Sequence, residues 1–194
     1  MASHIGVGER MLRAQFRDER ELGDAMAEAL LLCQEATARR PGEPWAEWLA
    51  RRARQRGRIL LSRRDGARLV VNASPGPGSR HLLDADLAVL VDCGFTPAQA
   101  LRGVMAVCHY VNGFAMKEQA EVRRQTDDPS YAEDPPPGQL LDLFTATPIL
   151  AAAICQVGDP RGPEEFDYGL KLLLDGMAAA LERAEPAYSF PAPV

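Results

Sequence analysis

The stretch from Pro97 to Val122 constrains the fold of this 194-residue chain more than any other. Thr96 is a good N-cap, and a proline suits the first helical turn, where its missing N–H would be unpaired anyway. Apolar residues then cover almost every side, which predicts a buried helix. They are Leu101, Val104, Met105, Val107, Cys108, Val111, Phe114 and Ala115. We interpret this helix as the centre of an all-α bundle and as one wall of a ligand cavity.

Three polar residues, His109, Tyr110 and Asn112, interrupt this apolar stretch. A buried polar group needs a partner, which is either protein or ligand. Because histidine side chains in general titrate near neutrality, His109 suits binding of a polar ligand or general acid–base catalysis. The alternative is a core histidine that is hydrogen-bonded to a neighbouring helix. Asn112 more often bonds across a bundle than to a ligand. The predicted cavity residues on this helix are Leu101, Val104, Met105, His109, Tyr110 and Asn112.

The rest of the chain also has helical periodicity, and no segment alternates like a strand, so the predicted fold class is all-α. Asp18 is placed to cap a helix, Gly94 is placed to end one, and Pro148 must start, kink or interrupt another. The further predicted helices begin at Glu19, run from Pro44 or Trp45 to about Leu61, and span Arg80 to Asp92, Gln139 to about Gln156, and Pro163 to Arg183.

Composition and charge narrow the class of protein. The net charge of -5 argues against a general nucleic-acid or membrane-binding surface. The sequence contains no stretch of about 20 apolar residues, which a membrane-spanning helix would need, and the N-terminus lacks a signal-peptide pattern. The four cysteines form no C-x-x-C pair. We therefore expect reduced thiols in a cytoplasmic protein, with no metal site and no cofactor.

Several separated motifs resemble the tetracycline-repressor-like branch of the TetR family. LLSRRDGARL, from Leu60 to Leu69, resembles the family's L-L-x-x-R-D-G-A-[KR] phrase. Further matches in the same order are Trp45 with Leu49, Gly94-Phe95-Thr96, Ala100-Leu101 and Ala106-Val107-x-His109. The match runs from about Gly6 to Leu181. It implies a helix-turn-helix DNA-binding domain followed by a helical domain for ligand binding and dimerisation, as in a ligand-responsive transcriptional regulator.

The resemblance to the DNA-binding part is incomplete. Ile5-Gly6-Val7 resembles the turn before the recognition helix, and Leu12 and Phe16 resemble apolar positions at the end of that helix. The two preceding helices have no counterpart, and an isolated ten-residue helix is marginal in water. We therefore expect residues 1–22 to be a remnant of that domain, residues 23–185 to bind ligand and dimerise, and residues 186–194 to form a loose tail. We expect DNA binding only if this chain is a truncated repressor.

The resemblance also indicates which residues stand at the family's ligand-binding positions. Tetracycline repressors hold a magnesium–drug chelate with His and Glu side chains, but here Val70 replaces one His and Lys117 replaces the Glu, so that only His109 is retained. The Lys117 ammonium repels a magnesium ion, which prefers oxygen ligands, so we expect no magnesium–tetracycline site.

The basic run Arg51, Arg52, Arg54, Arg56 and Arg58 departs most from the family. Arg52 and Arg56 lie one turn apart, and by resemblance they line the cavity, where they would suit an anionic or polyphenolic ligand. The alternative is a solvated face, as expected for Arg51, Arg54 and Arg58. Asp86 replaces a ligand-contacting Gln of the family and either contacts the ligand or pairs with an arginine.

The resemblance makes the last two predicted helices the interface of a homodimer built as a four-helix bundle, the alternative being packing within one subunit. The predicted interface residues are Leu143, Leu150, Phe166, Leu170, Leu173 and Met177.

Three functions remain open from the sequence. The first is a ligand-responsive regulator. The second is a stand-alone member that acts as a biosynthetic enzyme, for cyclisation or rearrangement, or as a natural-product carrier. The third is a partner that dimerises with a complete repressor and inactivates it. An enzyme is the less favoured reading, because no nucleophile motif such as G-x-S-x-G occurs.

Overall fold

The computed structural model describes residues 16–34, 38–127, 147–157 and 163–182. Within these ranges the chain forms seven α-helices and no strand, which confirms the all-α prediction. The helices are α1 (Glu19–Leu32), α2 (Trp45–Leu61), α3 (Gly66–Asn72), α4 (Pro77–Asp92), α5 (Pro97–Asp127), α6 (Pro148–Val157) and α7 (Pro163–Glu182). None of these helices is long and apolar enough to cross a membrane.

The capping residues explain where the helices begin and end. Asp18 Oδ1 accepts a hydrogen bond from the Glu21 N–H at 2.8 Å and so caps α1. Gly94, at φ +100°, ends α4 in a conformation that glycine adopts without steric cost. Thr96 and Gln99 then bond each other's backbone N–H groups at 3.2 and 3.0 Å, which forms a capping box at the start of α5.

The core lies between α2 and α5, which pack against each other along most of α2. Helices α1, α3 and α4 cover one side of this pair and α7 covers the other. The largest fully buried side chains are Trp48, Leu60, Leu90, Val111 and Leu170. They come from α2, α4, α5 and α7, so a single core joins both ends of the described chain.

The R-D-G-A phrase forms the corner between α2 and α3. Asp65 adopts φ +61°, and a Cβ at Gly66 would lie 2.4 Å from the Leu60 carbonyl oxygen, so only glycine fits there. Gln119 of α5 fixes this corner: its Nε2 donates to the Leu60 and Arg63 carbonyls at 2.8 Å, and its Oε1 accepts from the Ala67 N–H at 3.1 Å. The sequence motif is therefore a structural corner clamped by the longest helix.

The expectation that α5 is buried on almost every side is wrong. Its buried residues form one stripe, consisting of Ala100, Gly103, Val104, Val107, Val111 and Ala115. Leu101 is 43% exposed, and His109 and Met116 are also exposed. The reason is that α5 packs on α2, α3, α4 and α7 through one side only, so the opposite side of this 31-residue helix has no covering element among the described residues.

Carboxylates on α1 hold the N-terminal end of α4. Glu28 Oε1 accepts from the N–H groups of Gly78 and Ser79 at 2.6 and 3.1 Å, and Glu28 Oε2 accepts from the Ser79 hydroxyl. A Cβ at Gly76 or Gly78 would lie 2.6 or 2.8 Å from this carboxylate, so a side chain at either position would displace Glu28 from this contact. A negative charge at a helix N-terminus is stabilising, and this contact therefore couples α1 to α4.

The Glu28 contact predicts a pH-dependent loss of stability. The Ser79 hydroxyl and the backbone N–H groups of this turn hold the pKa of Glu28 below its usual 4.5. The contribution of Glu28 should therefore be complete above pH 4.5 and should disappear as the pH falls through the lowered pKa. Glu28→Gln should reduce the free energy of unfolding near neutral pH, and the difference from wild type should shrink in acid. A difference that is constant from neutral to acidic pH in urea titrations would contradict this account.

Candidate functional site

The basic run on α2 is divided by the helix into inward-facing and outward-facing residues. Arg52 is buried and Arg56 is half-buried, whereas Arg54 and Arg58 are exposed as predicted. Arg51 differs from the prediction, because it is half-buried and its Nη2 lies 2.9 Å from the Glu43 Oε2. The helical spacing of four residues therefore directs only Arg52 and Arg56 into the bundle.

Arg52 forms a bidentate ion pair with Asp86 of α4. The Nε–Oδ1 distance is 3.1 Å and the Nη2–Oδ2 distance is 2.7 Å. Arg52 is only 3% exposed, while the Asp86 side chain is 20% exposed, so the pair joins α2 to α4 largely away from solvent. Burial raises the pKa of Asp86 above its usual 3.8, although the hydrogen bond and charge of Arg52 and the charge of Arg56 act in the opposite direction.

Arg56 extends this polar group towards α5. Its Nε donates to Asn112 Oδ1 at 3.2 Å, and it forms no ion pair with any carboxylate of the described residues. Cys108 lies within the electrostatic influence of Arg56, Asp86 and Arg52, and burial raises its pKa, so the thiol stays protonated. We call Arg52, Arg56, Asp86, Cys108 and Asn112 the interior polar cluster.

The structure separates the other predicted cavity residues from this cluster. Val104 is buried in the core, Met105 is half-buried, and Leu101 and His109 are exposed. Tyr110 points towards α7, where its hydroxyl donates to the carbonyls of Glu165 and Phe166 at 3.2 and 2.9 Å. His109 lies on the side of α5 that no described helix covers, and its role as a ligand contact stays a prediction.

The predicted interface residues on α7 face mainly inward. Leu170 is 1% exposed and belongs to the core, which corrects its assignment to a subunit interface. Phe166 packs against Tyr110 and Phe114, and Met177 packs over Gly103. Leu173 is half-buried and Leu150 of α6 is exposed, while Leu143 lies outside the described residues. The exposed apolar side chains of α7 are instead Tyr168 and Leu172.

Sequence reasoning missed two glutamines that the structure makes prominent. Gln34 is buried just after the end of α1, and Gln119 clamps the α2–α3 corner. Cys108 was assigned only an apolar role. Spacing does not indicate the roles of Gln34 and Cys108, because each depends on which helix lies opposite. A glutamine four residues after a buried apolar position, as Gln119 is after Ala115, was the one available signal.

Comparisons with known proteins identify the family. A family model described as tetracyclin repressor-like, C-terminal domain, matches residues 39–181. The tetracycline repressor protein class A from transposon 1721 of Escherichia coli is 32% identical over 180 residues, which are 92% of this chain and 79% of that protein. The chain belongs to the TetR family of ligand-responsive transcriptional regulators. The sequence-based recognition of this family is thereby confirmed.

Solved TetR-family structures share the fold. A possible TetR-family regulator from Streptomyces coelicolor A3(2) has a TM-score of 0.73 and 28% identity, covering 92% of this chain and 87% of that chain. A TetR variant from Acinetobacter baumannii AYE, solved in complex with minocycline, has a TM-score of 0.67 and 26% identity, covering 98% and 86%.

The residues at the family's metal-directed positions do not fit a magnesium–drug chelate. Val70 is a half-buried apolar side chain, while Lys117 and His109 are exposed on α5. Val70 offers no ligand atom, and an ammonium repels a divalent cation. Within the described ranges, no group of three or more His, Cys, Asp or Glu side chains is placed to hold a metal ion.

The buried ion pair predicts a large cost for removing one partner. Asp86→Asn leaves the Arg52 guanidinium buried without its carboxylate, so we expect a loss of about 3 kcal/mol in the free energy of unfolding. Asp84→Asn is a matched control, since Asp84 is exposed on the same helix, and it should change stability by less than about 0.5 kcal/mol. Equal effects of the two substitutions in urea denaturation would refute the structural role of the pair.

Proposed function

We propose that this TetR-family chain senses an anionic small molecule, either a carboxylate or a phenolate, at the interior polar cluster. The observation that carries the proposal is the charge of that cluster. The cluster holds two guanidiniums, Arg52 and Arg56, and one carboxylate, Asp86, which forms its ion pair with Arg52. Among the described residues, Arg56 donates a hydrogen bond to the neutral amide of Asn112 and forms no ion pair of its own. A partly buried charge is stabilised by a counter-charge with hydrogen-bond acceptors.

Ligand binding at this cluster would change the packing of the helices that contribute to it. Its members come from α2, α4 and α5, so an anion that draws Arg56 from Asn112 would change how these helices pack. The N-terminal end of α4 is in turn held by Glu28 of α1. Helix α1 directly follows the segment that resembles a recognition helix. A ligand that prefers one arrangement would thereby shift the population of α1 orientations.

The relatives support a small molecule as the signal. The Acinetobacter TetR variant was solved in complex with minocycline. Because Arg56 and Asp86 stand in the interior and the metal-directed residues do not fit, the ligand we propose for this chain binds through guanidinium hydrogen bonds rather than through a metal.

Native mass spectrometry of the protein purified from its own cells tests the ligand class. Wild type should retain an ionisable acidic molecule, because desolvated guanidinium contacts slow its release. Arg56→Gln should lose it. Arg68→Gln should keep it, since Arg68 is an exposed arginine on α3, outside the interior polar cluster. A retained molecule without an acidic group, or equal retention by both variants, would contradict the proposal.

The same preparation distinguishes the regulator from the stand-alone carrier or enzyme. Genomic fragments of the source organism are incubated with the chain and recovered by filter binding. Recovery of a defined fragment, reversed by the retained molecule, supports the regulator. Conversion of the molecule by the chain without any fragment recovered favours the stand-alone member.

We further propose that the chain forms a homodimer through the exposed apolar surface of α6 and α7. Ile149 is 86% exposed and Leu172 is 56% exposed. Leu172 and Gly176 also line a groove of about 340 Å³ between α7 and the Arg102 and Ala106 positions of α5. A second copy that covers this surface would bury the apolar side chains that one subunit leaves in solvent.

Leu172→Glu should convert the dimer into a monomer at micromolar concentration, because it places a charge in the apolar surface. Val71→Glu is the matched control, since Val71 is an exposed apolar residue on α3, and it should leave the dimer intact. Size-exclusion chromatography with light scattering measures both masses. A monomeric wild type, or a dimeric Leu172→Glu variant, would contradict the proposed interface.

A further inference from the structure

A second cleft lies between α2, α5 and α7, on the side of α2 opposite Arg52 and Arg56. Its volume is about 300 Å³, and its walls are mainly apolar. They include Leu61, Val111, Phe114, Ala115 and Phe166. The Phe114 and Phe166 rings meet edge to face, with centroids 5.1 Å apart, so the cleft presents aromatic edges and faces to an occupant.

Gly57 keeps this cleft open. It lies in the middle of α2, where glycine is less favourable than alanine, and it has no positive φ that would require glycine. A Cβ at this position would meet Val111 Cγ1 at 3.7 Å and Phe166 Cζ at 4.0 Å, which are ordinary contact distances. Neither the backbone nor close packing explains the glycine, so what it provides is space in the cleft.

The charges at the mouth of the cleft favour an anion. Arg54 Nε pairs with Asp167 Oδ1 at 2.8 Å. Arg58, the second lining arginine, donates its Nε to the Arg54 carbonyl at 3.4 Å and forms no ion pair among the described residues. Two guanidiniums therefore face one carboxylate, and Arg58 is the one available to a ligand.

We propose that this cleft is a binding site for a small aromatic carboxylate. The ring lies over Gly57 against Phe114 and Phe166, and the carboxylate bonds to Arg58. A volume of about 300 Å³ is at the small end of ligand sites and corresponds to a ligand of one or two rings. The site does not depend on the interior polar cluster, because the two lie on opposite sides of α2.

Isothermal titration calorimetry of the full chain with 2-naphthoate tests this site. We expect saturable binding by wild type, and binding about fivefold to tenfold weaker for Arg58→Gln and for the neutral probe 2-naphthamide, since both remove the charged contact. Gly57→Leu should abolish binding by filling the cleft. Gly113→Leu is its matched control, since a Cβ at Gly113 of α5 meets nothing within 4 Å, and it should bind like wild type.

Two further variants separate loss of binding from loss of folding, and binding in this cleft from binding at the interior polar cluster. Gly57→Ala adds a single methyl group at ordinary contact distances and should weaken 2-naphthoate binding even if Gly57→Leu does not fold. Arg56→Gln should leave it unchanged, because it removes a positive charge from the interior polar cluster and none from the cleft, and it therefore separates this site from the ligand proposed for that cluster. No binding by wild type, or equal binding by wild type, Gly57→Ala and Arg58→Gln, would overturn the proposal.

Discussion

The buried ion pair between Arg52 and Asp86 is the interaction on which the interior of this bundle depends. It joins α2 to α4 with two hydrogen bonds of 3.1 and 2.7 Å, and Arg52 is almost fully buried. Taking both charges out of water is costly, and the cost is recovered only because the geometry is bidentate. Removing one partner would leave the other charge without its counter-charge, so the pair ties α2 and α4 together through the face of α2 that carries Arg52. Arg56 follows one turn later on that face. It forms no ion pair among the described residues and donates a hydrogen bond to Asn112 of α5.

Most of the fold could be predicted from sequence because its signals are local. Asp18, Thr96 and Gly94 act within one helical turn, so their capping roles can be recognised without knowing the tertiary packing. The motif around Asp65 and Gly66 was recognisable by resemblance, but its physical basis is visible only in the structure. Asp65 has a left-handed backbone conformation, and Gly66 lies too close to a carbonyl oxygen for a side chain.

The site was predicted in part, for a physical reason. Helical spacing placed Arg52 and Arg56 on one face, and the pairing of Asp86 with an arginine was one of two alternatives that the sequence left open. His109 and Leu101 lie on the exposed side of α5, which the sequence did not indicate because apolar residues surround α5 in sequence, while its described neighbours cover only one side. Leu170 was misassigned in the opposite sense, since an apolar helix does not reveal which of its faces meets the core. Partner helices decide such questions, and periodicity alone does not encode them.

The central claim is that Arg56 belongs to a site for an anion. A crystal structure of the protein purified from its own cells, without added ligand, tests it most directly. The account predicts density for an acidic group within hydrogen-bond distance of the Arg56 guanidinium, with the Asn112 contact lengthened or broken. An Arg56 that still donates to Asn112 at about the 3.2 Å seen here, with only water around its remaining N–H groups, would contradict it.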